Sequence, residues 1–372
     1  MPTSNGVIPF TELVETVKDE ELRDTTVNVE AENKYKAVVN DTYRLWIPLE
    51  FEFKAYRKIA TITTKADYTT GTVAATSVSN SITGSSTSWT SSHDGMKIWI
   101  KSADEVYDFT YVSATSATLD RNFVGSTTTS SNYILYQYRY ALASDFWRPV
   151  KTGYGKGSFW YYKNGVRVDL LPEWSDKWSD KDIAVPGVPS NYRIVYSGGL
   201  YYVDIFPPDT ESRTIFYEYI PYLSPMKEYT TGTVSVTNGS KVVTGSGTDF
   251  SSNVSAGDYF RIDGDGTGSA SVWYKIDSVD SATQITLETA YAGTTQSGVE
   301  YTISEAPNLP PVFHPLIKLK ACIDRATDRD AKQLQVWTVL LSQYLGRAKQ
   351  IDEGYNYDTS LESIYQQYNY RG

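Results

Sequence analysis

The sequence predicts an α+β protein. N- and C-terminal helices form a helical bundle, and between them lie a central antiparallel β region and two inserted small β-barrel or β-sandwich modules. Three observations lead to this fold class. A segment of about seventy residues occurs twice in the chain. The chain holds 31 tyrosines and 9 tryptophans beside many threonines and serines, and such residues favour strands. Apolar residues recur at helical spacing near the two chain ends.

The repeat begins at Tyr68–Val73, which reads Tyr-Thr-Thr-Gly-Thr-Val and recurs as Tyr229–Val234. Large aromatic residues and glycines are retained farther along, whereas the intervening polar residues differ, and duplication of a folded unit leaves this pattern. We expect five or six short strands in each copy. The later matched positions are Gly84 and Gly245, Thr87 and Thr248, Trp89 and Phe250, Leu119 and Leu287, Phe123 and Tyr291, and Tyr133 and Tyr301.

Four helices are predicted outside the repeats. Thr11 is expected to cap a first helix over Glu12–Asp24, and Pro48 to end a second helix over Val29–Trp46. Apolar residues at three- and four-residue spacing predict the two C-terminal helices, Pro315–Thr327 and Asp330–Gln350.

The region between the repeats is predicted to be antiparallel β structure. Asn164-Gly165 between two apolar runs indicates a hairpin. Three further runs, Tyr192–Tyr196, Leu200–Phe206 and Thr214–Tyr219, suggest a meander, and Glu52–Thr64 is strand-like. The predicted segments are 1–64 for the N-terminal helices and leading strand, 65–137 and 226–304 for the modules, 138–225 for the central β region, 305–350 for the C-terminal helices and 351–372 for an extended tail.

The composition of the chain argues against several classes of function. Cys322 is the single cysteine, and His93 and His314 are the only histidines, so thiolate zinc sites and histidine acid–base catalysis lack the residues they need. We therefore expect no metal, no cofactor and no enzymatic activity. A net charge of −10 argues against binding of nucleic-acid phosphates. No apolar run is long enough to cross a membrane and the N-terminal sequence lacks the pattern of a signal peptide, so we expect synthesis in the cytoplasm without membrane contact.

Three motifs could be interpreted either as binding or catalytic sites or as ordinary structural elements. Asp263–Gly268 resembles the start of a calcium loop, but Tyr274 stands where the bidentate glutamate belongs, so a hairpin loop is expected. Gly153–Gly157 lacks the Lys-Ser or Lys-Thr pair of a phosphate loop. The tandem tryptophans Trp174 and Trp178 are expected to contact a neighbouring surface. Alternatively they stack on sugars beside the carboxylates of Glu173, Asp176, Asp180 and Asp182.

The order of the parts resembles a known family. Helices ending near Trp46 are followed by a Thr-Gly-Thr-Val module, then Tyr140–Pro149, then a segment that ends at Phe206-Pro-Pro, and finally a helical pair. This order is similar to that of the head-to-tail adaptor, connector or head-completion proteins of tailed bacteriophages, and the duplicated module is similar to small β modules of phage structural proteins.

The resemblance implies a structural protein of the virion neck. It implies a ring of about twelve copies below the portal protein, contacts with tail or nozzle proteins and with fibres, and an acidic channel through which genomic DNA passes without sequence-specific binding. Trp174 and Trp178 would contact a neighbouring subunit. The tyrosine-rich tail would contact the portal protein through Tyr355, Tyr357, Tyr365, Tyr368 and Tyr370.

Two alternatives remain at this point. In the first, the chain is a receptor-binding or fibre-attachment tail protein, the repeats are recognition domains, and the expected assembly is a trimer. In the second, the chain is a glycan-degrading enzyme, for which the segment from Glu173 to Asp182 is the only support.

Overall fold

The computed structural model describes residues 6–21, 29–50, 52–150, 158–172, 185–263, 272–326 and 331–354. The protein is mixed α and β, mostly β, with barrel-like sheets. Two compact units can be distinguished. Among the described residues, the first unit holds the chain up to Tyr56 and again from Tyr222 to Gly354, and the second holds Arg57–Pro221.

The helices lie mainly in the first unit. α5 contacts α1, α2 and α6, so helices from both ends of the chain pack together. Their packed faces carry Leu13, Val17, Val39, Leu316 and Trp337, all buried, as the helical spacing predicts. The helices are α1 (Phe10–Glu21), α2 (Val29–Asp41), α3 (Ile47–Glu50), α4 (Phe250–Asn253), α5 (His314–Arg325) and α6 (Ala331–Gly354).

Two predicted helix ends are wrong. Thr11 does not cap α1, because the helix already begins at Phe10 and the Thr11 amide donates to Ser304 Oγ at 3.0 Å. Pro48 does not end the second helix, which passes through a π-helical turn, Thr42–Trp46, into α3. The backbone hydrogen bonds are already rearranged in that turn, so the missing amide hydrogen of Pro48 is tolerated just after it.

The first barrel sheet consists of seven strands in the second unit, in the order β7-β2-β3-β6-β5-β4-β8. Only Asn132 separates β7 from β8, so the two edges of the sheet meet and the sheet curves into a barrel. Its strands are β2 (Thr72–Ala75), β3 (Ser81–Ser85), β4 (Lys97–Ile100), β5 (Glu105–Ser113), β6 (Ser116–Leu119), β7 (Thr128–Ser131) and β8 (Tyr133–Tyr136).

The second barrel sheet has eight strands and lies in the first unit, in the order β16-β23-β19-β20-β21-β18-β17-β22. Read in reverse, this order matches that of the first barrel sheet strand for strand. The additional strand β16 takes the place of the isolated β-bridge between Tyr68 and Leu135 in the first barrel sheet. The expectation of five or six strands was therefore too low, because short strands at the sheet edges escape a periodicity search. The strands are β16 (Glu228–Tyr229), β17 (Thr233–Val236), β18 (Val242–Ser246), β19 (Tyr259–Ile262), β20 (Tyr274–Ser281), β21 (Gln284–Leu287), β22 (Gln296–Val299) and β23 (Tyr301–Ser304).

Matched residues of the repeat occupy the same places in the two barrel sheets. The Tyr133 hydroxyl donates to the Thr70 carbonyl at 2.6 Å, and the Tyr301 hydroxyl donates to the Thr231 carbonyl at 2.6 Å. Burial raises the pKa of both phenols, so both stay protonated donors. Beside them Trp89 and Phe250 are almost fully buried and pack edge-on against their tyrosines.

The central sheet also belongs to the second unit, with the order β1-β15-β11-β12-β13-β14-β9 and β10 paired to β15. The predicted hairpin is confirmed, because β11 and β12 pair antiparallel around Asn164 and Gly165, which have φ of 51° and 76°. The strands are β1 (Lys58–Thr63), β9 (Arg139–Ala141), β10 (Phe146–Pro149), β11 (Phe159–Lys163), β12 (Val166–Pro172), β13 (Asn191–Ser197), β14 (Leu200–Phe206) and β15 (Thr214–Pro221).

Two expectations for this region are wrong. It is not wholly antiparallel, since β12 and β13 pair in parallel at Leu171 and Pro172. The meander is also absent from the described strands, because β15 pairs with β1, β10 and β11 rather than with β14. Asp209 explains the rearrangement. It is buried in the β14–β15 connection and accepts a 2.7 Å hydrogen bond from Thr64 Oγ1, directly after β1, which brings β15 beside β1.

The paired tyrosines give a matched test. Trp89 Nε1–H donates to the Tyr133 hydroxyl at 3.0 Å, whereas Phe250 has no such donor for Tyr301. Tyr133→Phe leaves a buried N–H and a carbonyl unpaired and is expected to cost about 2–3 kcal/mol, against about 1 kcal/mol for Tyr301→Phe. Hydrogen exchange of peptides from each barrel sheet in the full chain measures both losses. Equal losses would contradict this account.

Candidate assembly surfaces

The structure does not test the predicted contact residues. The portal-contact tyrosines Tyr355, Tyr357, Tyr365, Tyr368 and Tyr370 lie outside the described residues, and so do Trp174 and Trp178. The glycan-acting carboxylates Glu173, Asp176, Asp180 and Asp182 also lie outside them, as do most residues of the two glycine-rich motifs. The surfaces described below are therefore built from other residues.

Helix α6 leads into the tyrosine-rich segment and is fixed at its end. Its inner face buries Trp337, Leu341 and Ala348. Asp352 was expected to lie in the extended tail, but it is buried in the last turn of α6, and its carboxylate accepts the Lys54 amide at 2.9 and 3.1 Å. The helix continues to Gly354 because this carboxylate satisfies a backbone donor of the turn Lys54–Tyr56.

The outer face of α6 carries apolar side chains. Val336 and Val339 are 50% and 56% exposed, and at 100° per residue their mean direction around the helix lies about 150° from that of Trp337 and Leu341. Leu45 in the π-helical turn and Leu49 in α3 form a similar exposed pair, and Leu49 is 64% exposed. Exposed aliphatic residues in such groups are typical of protein–protein contacts.

One wall of the second barrel sheet docks on α1. Arg261 of β19 donates to Glu15 at 2.9 Å through Nη1 and forms a second contact with the same carboxylate through Nη2. Its guanidinium lies 4.6 Å from the Trp273 ring centroid. Thr11 adds a hydrogen bond from its hydroxyl to Glu228 at 2.9 Å. This wall is held by directional polar contacts.

The equivalent wall of the first barrel sheet also docks, but through apolar contacts. Trp99 pairs with Ile134 where Arg261 pairs with Thr302, so Trp99 and Arg261 are equivalent positions. Trp99 and Ile134, together with Phe206 at the end of β14, pack against the buried Val106 and Tyr136. Both barrel sheets therefore use the same wall to join the rest of their own unit.

The opposite walls are exposed and rich in hydroxyl groups. In the first barrel sheet they carry Ser81, Thr83 and Ser85 on β3, all exposed. In the second, Thr244 and Ser246 on β18 are exposed, and Ser235 and Ser297 hydroxyls lie 2.9 Å apart. None of these positions is charged, but on the neighbouring strand β21 Gln284 and Thr286 donate to the Asp280 carboxylate at 3.1 and 2.7 Å, so the wall of the second barrel sheet also carries a negative charge.

The histidines are used structurally. The His314 Nδ1 accepts the Ile8 amide and its Nε2 lies 3.0 Å from the Leu309 carbonyl, and burial lowers the pKa of His314, which keeps the ring neutral. The His93 Nδ1 accepts the Thr90 amide at 2.9 Å. Within the described ranges, histidine, cysteine, aspartate and glutamate side chains form no group able to hold a metal ion.

Neither a search of protein families nor a search of curated proteins finds a match for this chain. Among the described residues, no helix is both long enough and apolar enough to span a lipid bilayer.

Sequence reasoning missed the docking arginine and the outer face of α6. The apolar stripe that includes Trp337 was enough to predict the helix. Val336 and Val339, which lie off that stripe, were therefore not assigned to a second, exposed face. The contact that Arg261 makes could not be recognised from the sequence, because its partner Glu15 lies 246 positions away.

Two glutamates one turn apart on α1 give opposite predictions. One carboxyl oxygen of Glu12 is buried without a hydrogen-bond partner among the described residues, and burial, with a smaller effect of Glu15, raises the pKa of Glu12. Glu12→Gln is expected to stabilise the fold by about 1 kcal/mol at neutral pH. Glu15→Gln loses the ion pair with Arg261 and is expected to destabilise it by about 0.5–1 kcal/mol.

The pH dependence of stability shows whether the titration of Glu12 causes the stabilisation expected for Glu12→Gln. Since the folded state holds the Glu12 proton more tightly than the unfolded state does, stability falls as pH rises through the window above the ordinary glutamate pKa. Glu12→Gln should flatten that fall in urea-unfolding curves measured at a series of pH values. An unchanged slope would show that Glu12 is not the titrating group.

Proposed function

We propose that the chain is a structural protein of a tailed-phage virion, a head-to-tail adaptor in the neck that binds the portal protein and forms a ring below it. In this proposal the terminal helices are a helical bundle, and the two barrel sheets are copies of one duplicated module. Copies of the chain, about twelve to match the portal, surround the path of the DNA.

The observation that carries the proposal is the arrangement of α6. The helix is held to its unit by one apolar face and by Asp352, and it keeps two exposed valines, Val336 and Val339, on the other face. It then runs directly into the tyrosine-rich sequence from Tyr355 onward. A fixed helix that presents apolar residues and leads into aromatic ones suits a contact with a large partner protein.

Charge supports the proposed passage of DNA. The net charge of −10 disfavours tight binding to phosphates, so an acidic channel would let the genome slide. The exposed, hydroxyl-rich walls of the barrel sheets are then available for tail or nozzle proteins and for fibres. A receptor-binding role would use the same walls, and it differs in its expected trimeric state.

Removing the tyrosine-rich segment tests the proposal. The deletion should begin after Gly354, because Asp352 holds the Lys54 amide and must remain. The full chain, mixed with the portal protein from the same genome, is expected to add about twelve copies to the portal ring, and the shortened chain to add none. Mass photometry with negative-stain imaging measures this. Full binding by the shortened chain, or a stable trimer of the full chain that ignores the portal, would refute the adaptor role.

The valines of α6 give a second test within the complete chain. Val336→Ser with Val339→Ser removes exposed apolar surface and should weaken portal binding about tenfold without lowering the melting temperature. Val166→Ser is the matched control, since Val166 is 65% exposed in the β11–β12 hairpin. Equal binding by both variants would exclude α6 from the contact.

A further inference from the structure

The outer edge of β1 in the central sheet is an unpaired strand edge. β1 pairs antiparallel with β15 over its whole length and without a bulge. The Thr64 amide donates to the Arg213 carbonyl at 2.8 Å, which continues this register. Backbone groups of alternate residues therefore face β15, and those of Ile59, Thr61 and Thr63 face away from it. Within the described parts of the chain, no group bonds these outward N–H and C=O groups.

β9 forms the other edge of the central sheet, and side chains satisfy much of it. Its outward groups include those of Arg139 and of Ala143, just after the strand. The Arg139 carbonyl accepts a 2.9 Å hydrogen bond from Gln137 Nε2, and the Ala143 amide donates to the Tyr217 hydroxyl at 2.8 Å. The segment Ile59–Thr63 has no such protection among the described residues. It also lacks the charged residues and prolines that usually keep an edge strand from pairing.

Among the buried residues of the central core, the least covered lie along these two edges. Ile62 of β1 is 8% exposed, and Tyr140 and Leu142 of the β9 edge are 7% and 8% exposed. Val203 and Ile215, in strands with a neighbour on both sides, are fully buried. An apolar side chain placed beside Ile62 would remove this remaining apolar surface from water, which is favourable.

The charged groups beside the edge already have partners. Arg57 forms an ion pair with a glutamate of β15 at 3.5 Å, and Lys58 forms one with Asp145 at 2.7 Å. Lys65, beyond the other end of β1, donates to the Ser92 carbonyl at 2.6 Å. The residues between Lys58 and Lys65 are uncharged. The edge therefore lacks a backbone partner and an apolar cover, and an extended, uncharged polypeptide segment supplies both.

The β1 strand of a second copy does not suit this edge. The Tyr140 hydroxyl accepts the Lys65 amide at 3.1 Å, so the β9 edge lies close to the end of β1. A β1 strand from another copy would bring its own β15 into that space. The antiparallel register centred on Thr61, which uses all three outward residues, would also place Arg57 of one copy opposite Lys65 of the other, and opposed like charges are unfavourable. A single segment without a sheet of its own avoids both conflicts.

We infer that the outer edge of β1 takes up one extended, uncharged segment of the tail or nozzle protein as an added strand. The backbone of this segment bonds to Ile59, Thr61 and Thr63, and its inward side chains are apolar and cover Ile62. The inference rests on the proposed function in naming the tail or nozzle protein as the source of the segment. The edge belongs to the second unit and α6 to the first, so the portal and tail contacts use different parts of the chain.

Hydrogen exchange at single-residue resolution tests the added strand. In the full chain alone, the amides of Ile59, Thr61 and Thr63 should exchange freely, whereas β15 protects those of Ala60 and Ile62. The tail or nozzle protein from the same genome, at about one hundred times its Kd, should slow exchange of the three outward amides about a hundredfold. Absence of binding, or unchanged exchange at these amides, would overturn the inference. So would slowing in the chain alone as its concentration rises, because a second copy would then occupy the edge.

A proline at the centre of the edge separates docking from folding. β15 does not use the Thr61 amide, so Thr61→Pro leaves the bonds between these two strands in place and removes an outward donor. The melting temperature should change little, whereas binding of the tail or nozzle protein should weaken about tenfold or more. Thr61→Val is the matched control, because it keeps the amide and the β-branched shape. Equal binding by the two variants would contradict the inference.

The two proposals fail in distinguishable ways. Slowed exchange of the outward amides in a chain that never binds the portal protein would leave the added strand standing and remove the adaptor role. A portal-bound ring of the Thr61→Pro chain that still binds the tail or nozzle protein at full strength would leave the adaptor role standing and remove the added strand.

Discussion

The chain enters and leaves each barrel sheet at adjacent positions, and the rest of the structure depends on this constraint. Tyr68 and Leu135 exchange two backbone hydrogen bonds of 2.9 Å, and β16 pairs with β23 in the second barrel sheet. The hydroxyls of Tyr133 and Tyr301 add a bond from the last strand to the first connection. A closed unit whose ends lie side by side can be inserted without separating the elements that flank it. This is how β1 and β15 still pair across the whole first barrel sheet, and how α1 and α5 still pack across a chain of β structure.

The same wall joins each barrel sheet to its own unit, but the interactions are apolar in the first barrel sheet and mainly polar in the second. Around Trp99 and Tyr136 the contact is apolar, so its strength scales with buried area and is insensitive to salt. Around Arg261 it consists of an ion pair, a ring contact and hydroxyl bonds, which fix orientation and respond to pH and ionic strength. Using one wall for attachment leaves the same opposite wall exposed in both barrel sheets. Any partner that recognises one copy meets a related surface on the other.

Local sequence signals predicted the elements that local physics determines. The Asn164-Gly165 hairpin, the buried helix faces and the burial of the matched aromatics in both barrel sheets follow from turn chemistry and periodicity. Contacts between distant residues could not be predicted in this way. The Asp209–Thr64 bond that places β15 beside β1 spans 145 positions, and the Asp352–Lys54 bond that prolongs α6 spans 298. The exposed outer face of α6 was also missed, because the exposure of a side chain depends on the packing of the whole chain and not on its sequence neighbours. The tyrosines and tryptophans predicted as contacts lie outside the described residues.

Duplication also explains how one chain holds two related but unequal surfaces. Two identical copies of a module would present identical surfaces, and a change in one copy alone breaks that equivalence. Here the first copy has an exposed Val78 with a φ of +63° where the second has Gly239 with a φ of +82°. In the same way Trp99 of the first copy stands where the second has Arg261. The buried aromatic residues stay alike because both cores require them, whereas these outer positions differ because the fold tolerates either residue, so each copy can meet a different neighbour through the same wall.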